Sequence, residues 1–304
     1  MTKTILIAGG SGLIGQQLAQ RLIQLGHEVR ILSRRNANDL PGAVFQWDID
    51  KGWIDPDALK DLDVLINLAG AGIADKKWSA QRKDVLRKSR LAGNILLLNT
   101  LEKQSIQPEL FLGASAIGIY GNQGEKILDE FSEHGPSSDY LVELCEAWEQ
   151  SQSDFAGICQ RVVSIRIGLV LSMEGGALPP LYKSVIFGIG AILGSGDQYM
   201  SWIHLDDLIQ MFVHAIDHEE TNGVINGTAP APVTHSEFIR AIVHQKGGLG
   251  ITFKIPAFIL EGLMGEMAQI LLEGARVISA KMEKAAFTYQ YVNLSSALQD
   301  LLRK

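Results

Sequence analysis

The sequence has few cysteines, no long apolar run and no strongly basic segment. Its two cysteines, Cys145 and Cys159, form no CxxC pair and have no metal-ligand spacing. The longest apolar stretch, residues 184–196, is much shorter than the roughly 20 residues that a membrane-spanning helix needs. No charged leader followed by an apolar segment precedes the first predicted strand. These absences predict a reduced, cytoplasmic protein without a metal site or a membrane span.

The charge of the chain excludes a further class of partner. Its 27 lysines and arginines are scattered, and 34 acidic residues give a formal net charge of -7 at pH 7. Nucleic-acid-binding proteins concentrate positive charge on a stripe or patch, so we do not expect DNA or RNA as a partner. Apolar residues make up 46% of the chain, which indicates a globular protein throughout. We expect a small-molecule substrate, and a homodimer is left open.

The first half of the sequence alternates short apolar runs with helical patterns. The runs are rich in Val, Ile and Leu, as strands buried on both faces of a sheet require. Six such strands are predicted, at 4–8, 28–33, 43–47, 63–70, 109–115 and 162–168. The intervening segments are long enough for crossover helices, and the longest helix is expected to begin at Ser79, its N-cap. This pattern predicts an α/β fold with a Rossmann-type, doubly wound parallel sheet.

After Gly168, glycines and prolines interrupt this pattern. A helix is predicted from about Leu205 to Asp217, followed by a short strand at 223–228 and by helices near 234–243, 256–274, 279–286 and 294–302. We expect a dinucleotide-binding Rossmann domain, 1–170, to which 202–228 returns, and a smaller, mainly helical lobe formed by 171–201 and 229–304. Such folds bind ligands outside the carboxyl edge of the sheet, so the predicted site is a cleft between the two parts.

A glycine-rich turn follows the first predicted strand. Residues 9–15 read GGSGLIG and contain both GxGxxG and GxxGxxG. Gly9, Gly12 and Gly15 would let the backbone approach the pyrophosphate of a dinucleotide, and a helix beginning near Leu13 and Ile14 would direct unpaired amides towards it. A glycine turn without a ligand is the alternative, but a position between a strand and a helix favours dinucleotide binding.

The residues after the second strand predict which dinucleotide binds. A site that prefers NAD usually carries Asp or Glu there, to hold the 2′-hydroxyl of the ribose. Arg34 and Arg35 occupy this place, and a guanidinium can bind the 2′-phosphate that a carboxylate would repel. The predicted cofactor is therefore NADP, with NAD less favoured. Arg34 is the predicted contact, whereas a solvated side chain explains Arg35 equally well.

With these features placed, the chain resembles the extended branch of the short-chain dehydrogenase/reductase superfamily. NLAGAGI at 67–73 resembles the loop that crosses the cofactor, and ASAIGIYG at 114–121 resembles a fifth-strand segment of sugar-nucleotide epimerases. RIGLVLSMEGGAL and GSGDQYMSWIHLDDL resemble epimerase-family proteins of unassigned substrate, which carry a C-terminal domain of unknown function. The resemblance covers essentially the whole chain. It implies that Asp48 meets the adenine and that the cofactor contacts Leu68, Ala69 and Gly70.

The resemblance also implies a catalytic tyrosine, a lysine four residues later and a serine after the fifth strand. Tyr140 matches the tyrosine, but Leu144 stands where the lysine belongs. A phenol without such help titrates at about 10 and is a poor base at neutral pH. The serine position falls on Ala116, with Ser115 one residue earlier. Tyr140 and Ser115 are the predicted catalytic residues, although packing explains Tyr140 equally well.

Three further residues are predicted on the substrate side. The resemblance implies that Arg166, in the sixth strand, faces the cleft. Trp202 and His204 belong to the polar segment SWIHLDDL, in which Asp206 or Asp207 is expected to cap the next helix.

Two classes of function remain open from the sequence. The first is an NADP-dependent oxidoreductase or nucleoside-diphosphate-sugar-epimerase-like enzyme that acts on a small polar metabolite, with Tyr140 or a water handling the proton. The second is a nucleotide-binding regulatory protein, which the missing lysine favours. We favour the enzyme, because residues 175–178 and 194–202 resemble loops that line a cleft.

Overall fold

The computed structural model describes residues 2–34, 39–247 and 250–303. Its strands are β1 (Thr4–Ala8), β2 (Glu28–Ser33), β3 (Ala43–Asp48), β4 (Trp53–Ile54), β5 (Val64–Asn67), β6 (Leu110–Ala116), β7 (Ile127–Leu128), β8 (Arg161–Ile167), β9 (Leu169–Leu171), β10 (Ile189–Leu193), β11 (Tyr199–Met200), β12 (Trp202–His204), β13 (Gly223–Gly227), β14 (Val233–Thr234), β15 (Ile251–Ile255) and β16 (Arg276–Val277). Its helices are α1 (Leu13–Gln24), α2 (Ala80–Gln104), α3 (Tyr140–Ser153), α4 (Leu178–Ser184), α5 (Leu205–Asp217), α6 (His235–Gln245), α7 (Ala257–Met264), α8 (Gln269–Leu272), α9 (Ala280–Lys284) and α10 (Leu294–Leu302).

One eight-stranded sheet forms the centre of the molecule. Its strand order is β13-β8-β6-β5-β1-β2-β3-β4, and every pair is parallel except β3 with β4. The predicted α/β fold with a doubly wound parallel sheet is confirmed. The strand predicted at 63–70 ends at Asn67, because Leu68 to Gly70 leave the sheet as a loop.

Apolar side chains cover both faces of this sheet, as parallel strands require. Ile5 and Ile7 of β1 belong to a core that includes residues of α1 and α5. Leu6 and Ala8 point to the opposite face, where the core includes Leu97 and Leu101 of α2. The long crossover helix begins where the sequence predicts, because the Ser79 hydroxyl accepts a hydrogen bond from the Arg82 amide at 3.2 Å.

A smaller core lies outside the sheet. It combines residues of α6 and α10 with Leu178, Ile192 and Trp202. Part of the 229–304 segment nevertheless packs against the central sheet, because Met282 of α9 belongs to the sheet core. None of the described helices combines the length and the apolar composition of a membrane span.

Two predictions about helices need correction. The segment predicted as a single helix at 256–274 is divided into α7, a 3-10 turn at Gly265–Ala268 and α8, because Gly265 has a φ of 62° and ends α7.

Neither Asp206 nor Asp207 caps α5. The cap is His204, whose Nδ1 accepts a hydrogen bond from the Asp206 amide at 3.1 Å. Asp207 is buried and accepts hydrogen bonds from the amides of residues 290 and 291, at 2.8 and 2.9 Å.

Candidate functional site

The turn between β1 and α1 is built around glycines that have no room for a side chain. Gly9 has a φ of 81°, and a Cβ there would lie 2.7 Å from the amide nitrogen of Ala69. A Cβ on Gly15 would lie 2.4 Å from the carbonyl oxygen of Gly9. Neither glycine can be replaced without moving the backbone. Packing within the protein is therefore enough to explain why glycine is required at these two positions.

Gly12 differs from these two glycines. A Cβ on Gly12 would meet only the Gly9 carbonyl oxygen, at 3.5 Å, which is an ordinary contact. Gly12 is exposed and is the N-cap of α1, and no side chain from the described residues caps this helix. The first amides of a helix have no partner within it, and they favour negative charge. The space in front of Leu13, Ile14 and Gly15 is therefore suited to bind an anion such as a pyrophosphate.

The loop after β5 lies directly against the glycine turn. The Leu68 amide donates to the carbonyl of Ala8 at 2.8 Å, and the Ala69 amide donates to Oδ1 of Asn67 at 3.0 Å. Gly175, in the loop that follows β9, approaches the other side of the turn, since its Cβ would lie 3.5 Å from Leu13. The structure thus brings Gly9, Gly12, Leu13, Leu68, Ala69 and the neighbouring Gly70 to one edge of the sheet.

Arg34 and Asp48 follow two neighbouring strands at the same edge. Arg34 is the exposed residue immediately after β2, and Arg35 lies outside the described residues. Asp48 is the last residue of β3. Its carboxylate accepts a hydrogen bond from the Lys51 amide at 3.1 Å, and this bond lowers its pKa. Since β1, β2 and β3 are adjacent and parallel, both side chains share an edge with the glycine turn.

Tyr140 is the first residue of α3, where Asp139 caps the helix by accepting from the Leu141 amide at 2.8 Å. Its hydroxyl donates to the carbonyl oxygen of Lys83 at 3.2 Å. The Lys83 ammonium lies 4.6 Å from the centre of the Tyr140 ring, and the Trp78 ring meets the same ring edge-on at 5.0 Å. We call Trp78, Lys83, Arg90 and Tyr140 the Tyr140 cluster. Burial raises the pKa of Tyr140, and the nearby charge of Arg90 opposes that rise.

A cavity of about 440 Å³ opens beside the Tyr140 cluster. Trp78, Lys83 and Tyr140 form one side, and residues 261–273 of the C-terminal segment contribute to the other. Its lining includes four carboxylates and one ammonium, namely Asp139, Glu261, Glu266, Glu273 and Lys83. Lys83 forms an ion pair with Glu266 across it. Leu144, one turn after Tyr140, is buried and gives α3 no positive charge at that turn.

A second polar group, the Arg166 cluster, consists of Ser115, Tyr120, Glu149 and Arg166. Arg166 is buried and forms two hydrogen bonds with Glu149, at 2.7 and 2.8 Å, and one with the Tyr120 hydroxyl at 2.9 Å. Ser115 lies opposite Arg166 in the sheet and donates to Glu149 at 2.7 Å. Burial opposes the charge of Arg166, but hydrogen bonds and attraction from Glu149 outweigh it and raise the pKa of Arg166.

The structure does not bring the two predicted catalytic residues together. Ser115 bonds to Glu149, nine residues beyond Tyr140 on α3, which corresponds to about 13 Å along a helix. Trp202 and His204 are also separated from the cavity. Trp202 is fully buried and its indole donates to the Ala231 carbonyl at 3.0 Å, while the buried His204 ring stacks on Tyr291 at 3.9 Å. A substrate contact by either side chain would require the surrounding residues to move.

Lys83, Arg90 and Glu149 were not among the site residues predicted from the sequence. A signal for the first two existed, because residues 83, 87, 90 and 94 are all polar and recur on one face of α2. Glu149 offered no such signal, since its partner Arg166 lies on a different element, 17 residues later.

Among the described residues, no group of three or more His, Cys, Asp or Glu side chains is arranged to hold a metal ion.

Comparison with known proteins assigns the family. Residues 5–226 match the NAD dependent epimerase/dehydratase family, and residues 255–301 match a domain of unknown function, DUF1731. The chain belongs to the NAD dependent epimerase/dehydratase family. The family predicted from the sequence, including its C-terminal domain of unknown function, is thereby confirmed.

Relatives match the chain over nearly its full length. It is 35% identical to the Epimerase family protein ML0860 of Mycobacterium leprae, over 97% of this chain and 94% of that protein. It is 32% identical to the chloroplastic Epimerase family protein SDR39U1 homolog of Arabidopsis thaliana, over 99% of this chain and 87% of that protein. The structure of human epimerase family protein SDR39U1 with NADPH matches with a TM-score of 0.88 at 28% identity and covers 99% of both chains. A nucleoside-diphosphate sugar epimerase from Corynebacterium glutamicum matches with a TM-score of 0.80 at 31% identity, over 99% of this chain and 58% of that one.

Proposed function

We propose that this chain is an NADP(H)-binding enzyme of the extended short-chain dehydrogenase type. It would act as an oxidoreductase or as an epimerase-like enzyme on a small polar metabolite. The observation that carries the proposal is the space at Gly12. At Gly12 the turn leaves space for a ligand, directly in front of the first amides of α1, and these amides favour an anion. Membership of the NAD dependent epimerase/dehydratase family supports a dinucleotide as that group.

Two observations favour NADP over NAD. Arg34 is exposed at the end of β2, next to the strand that leads into the glycine turn. A guanidinium can bind a 2′-phosphate through charge-assisted hydrogen bonds. The human SDR39U1 structure, which is 28% identical to this chain over 99% of both chains, contains NADPH. A bound nicotinamide cofactor would supply or accept hydride.

The residues of this chain would then have separate roles. Amides at the start of α1 would bind the pyrophosphate, and Arg34 would bind the 2′-phosphate. Asp48 would contact the adenine, and the loop at Leu68 to Gly70 would lie along the cofactor. Tyr140 would hold or release a proton at its hydroxyl beside the cavity.

A nucleotide-binding regulatory protein is the second proposal, and one observation favours it. Leu144 is buried beside Tyr140, and burial raises the pKa of the phenol. A phenol with a raised pKa is slow to act as a base at neutral pH. Two assays together distinguish the two proposals: oxidation of NADPH by a panel of small aldehydes and ketones, and interconversion of epimeric nucleoside-diphosphate sugars. Turnover that Tyr140→Phe abolishes without loss of NADPH affinity supports the enzyme, whereas binding without turnover supports the regulator.

Calorimetry at low salt tests the cofactor proposal. We expect NADPH to bind at least several-fold more tightly than NADH, because a hydrogen bond to a charged group contributes roughly 1.5 to 3 kcal/mol before solvent screening. Arg34→Ala should weaken NADPH alone. Gly12→Val should abolish binding of both cofactors while the protein stays folded, because its side chain fills the space in front of the helix amides.

Lys103→Ala is the matched control. Lys103 is an exposed cation in the last turn of α2, far along the chain from the turn, and its loss should leave both affinities unchanged. Equal affinity for NADPH and NADH in the unmutated protein would contradict the role of Arg34. Retained binding in Gly12→Val would contradict the phosphate site itself.

A further inference from the structure

Four hydrogen bonds in a row connect the loop that follows β5 with helix α3. The Ala69 amide donates to Oδ1 of Asn67 at 3.0 Å, and Nδ2 of Asn67 donates to Oδ1 of Asn94 at 2.5 Å. Nδ2 of Asn94 donates to the Ser151 hydroxyl at 2.8 Å, and this hydroxyl donates to the Trp148 carbonyl at 2.7 Å. We call Asn67, Asn94 and Ser151 the asparagine chain. It joins β5, α2 and α3.

The direction of these hydrogen bonds is set at the α3 end. A hydroxyl has one proton, and Ser151 donates it to the Trp148 carbonyl, so towards Asn94 it can only accept. Nδ2 of Asn94 must therefore face Ser151, and Oδ1 faces Asn67. In the same way, Asn67 directs its Nδ2 to Asn94 and presents Oδ1 to the Ala69 amide. Each group thus orients the next one along the chain.

Burial makes this arrangement costly to break. Asn67 and Asn94 are only 2% and 1% exposed. Helix α2 passes close to the end of β5, since a Cβ on Gly93 would lie 3.7 Å from Nδ2 of Asn67. A buried amide that loses its partner carries the full cost of its desolvation, whereas an exposed one bonds to water instead. Asn94 therefore holds the side chain of Asn67 in one orientation.

At its other end the asparagine chain reaches the glycine turn. A Cβ on Gly9 would lie 2.7 Å from the nitrogen of Ala69 and 2.7 Å from the carbonyl carbon of Leu68, so this peptide packs directly on Gly9. The Gly9 carbonyl in turn accepts a hydrogen bond from the Gly12 amide at 3.1 Å, at the start of α1. The position of the peptide between Leu68 and Ala69 thus limits the course of the turn in front of the α1 amides.

We propose that Asn94 is a positioning residue for the dinucleotide site: through Asn67 it holds the Ala69 peptide against the glycine turn, and Ser151 sets its orientation. The proposal rests on the proposed function, in which the amides of α1 bind a pyrophosphate and the loop lies along the cofactor. Asn94 lies on α2 and acts through Asn67.

Amide hydrogen exchange, followed by NMR in the protein without any cofactor, tests the chain directly. Asn94→Leu replaces the amide with an apolar group of similar size and removes both of its hydrogen bonds. The Ala69 amide should then exchange about fivefold faster, the effect of weakening one ordinary hydrogen bond. The Leu68 amide is the internal reference, because it donates to the Ala8 carbonyl at 2.8 Å and should keep its rate.

Ser151→Ala is a milder change at the far end of the chain. It leaves Asn94 in place but removes the group that orients it, so the Ala69 amide should exchange about twofold faster. Ser153→Ala is the matched control. Ser153 lies on the same helix and its hydroxyl donates to the Gln150 carbonyl at 2.7 Å, in the way that Ser151 bonds to Trp148. Its loss should leave the exchange of Ala69 unchanged.

NADPH affinity, measured by calorimetry on the same variants, tests the link to the site. Asn94→Leu should weaken NADPH by about fivefold and Ser151→Ala by about twofold, while Ser153→Ala should have no effect. Thermal unfolding of each variant shows whether it is folded, and Ser151→Ala provides both measurements if Asn94→Leu is not.

An Ala69 amide that exchanges at the parental rate in the folded variants would overturn the inference. Equal acceleration at Leu68 and Ala69 would also overturn it, because the whole region would then have loosened. The same holds if Ser153→Ala acts as strongly as Ser151→Ala, or if NADPH affinity stays at the parental value while Ala69 exchange rises.

Failure of the proposed function is recognised separately, because the unmutated protein would then bind neither NADPH nor NADH. If the protein binds NADPH through Gly12 and Arg34 but its affinity ignores Asn94 and Ser151, only the present inference fails.

Discussion

The Arg166 cluster and the Tyr140 cluster both contact α3, but they satisfy their charges in different ways. Arg166 is buried and Glu149 is partly buried, with side-chain exposures of 4% and 13%, and the two balance each other through two hydrogen bonds. The Tyr140 cluster borders a cavity, and its Arg90 guanidinium bonds to backbone carbonyls rather than to a carboxylate. The charge of Arg166 is balanced by a carboxylate, whereas the Arg90 guanidinium has no ion-pair partner among the described residues.

This difference separates two roles for buried polar groups. A fully bonded ion pair has no capacity left for a ligand, and its removal mainly affects folding. Groups with altered proton affinity beside a cavity are the usual signature of a functional site. The comparison therefore predicts large stability effects in the Arg166 cluster and small ones in the Tyr140 cluster.

The largest effect is expected for Glu149→Ala. It leaves Arg166 buried without its carboxylate, and breaking a buried pair from one side costs about 3 to 5 kcal/mol. Urea unfolding at pH 7 measures the loss. Glu143→Ala is the control, because Glu143 lies on the same helix and pairs with the partly exposed Arg87, and surface pairs contribute about 0 to 1 kcal/mol. Similar losses in both variants would show that the Arg166 cluster is not the rigid element described above.

The parts of the fold that the sequence predicts are those set by local patterns. β1 and β2 have the bounds expected from their apolar runs, and Ser79 caps α2 because a hydroxyl at that position can reach an amide three residues later. The glycine turn was also predictable, since its motif, the preceding strand and the following helix are contiguous in the chain.

Contacts between distant segments were not predictable in this way. The Asp207 carboxylate looked like a helix cap, but it bonds to amides 83 and 84 residues later in the chain. Tyr120 bonds to Asn226, which is 106 residues away. Ser115 and Tyr140 were joined by a motif, yet the structure gives each a different partner. No local pattern encodes such pairings, because they depend on how the elements pack.

His235, on α6, is a buried polar group of a third kind. Its ring nitrogens form no hydrogen bond within the described residues, and burial lowers its pKa to about 4. In the unfolded chain the His235 imidazole has a pKa of about 6.5. The neutral ring therefore contributes its full stability above that pH, and this stability is lost as the pH falls towards 4. A change from pH 7 to pH 5 should therefore lower the free energy of unfolding by about 2 kcal/mol through His235.

Urea unfolding at the two pH values checks this expectation. His235→Phe should reduce the loss between pH 7 and pH 5 by about that amount, because the phenyl ring does not titrate. His244→Phe, at an exposed position on the same helix, is the control. If both variants keep the full pH dependence of the parent protein, the ring of His235 is not protected from water.

The smallest effect is expected at Asp139, which fixes the start of α3 and hence the position of Tyr140. Removing an N-cap carboxylate costs about 1 kcal/mol, whereas asparagine caps a helix nearly as well as aspartate. Asp139→Ala should therefore lower the free energy of unfolding by about 1 kcal/mol, and Asp139→Asn by much less. Asp139 also accepts a hydrogen bond from Gln269 at 2.8 Å, so Gln269→Ala separates the cap from this link to the C-terminal segment. A loss in Asp139→Ala as large as that in Glu149→Ala would show that the start of α3 beside Tyr140 is as important to folding as the Arg166 cluster.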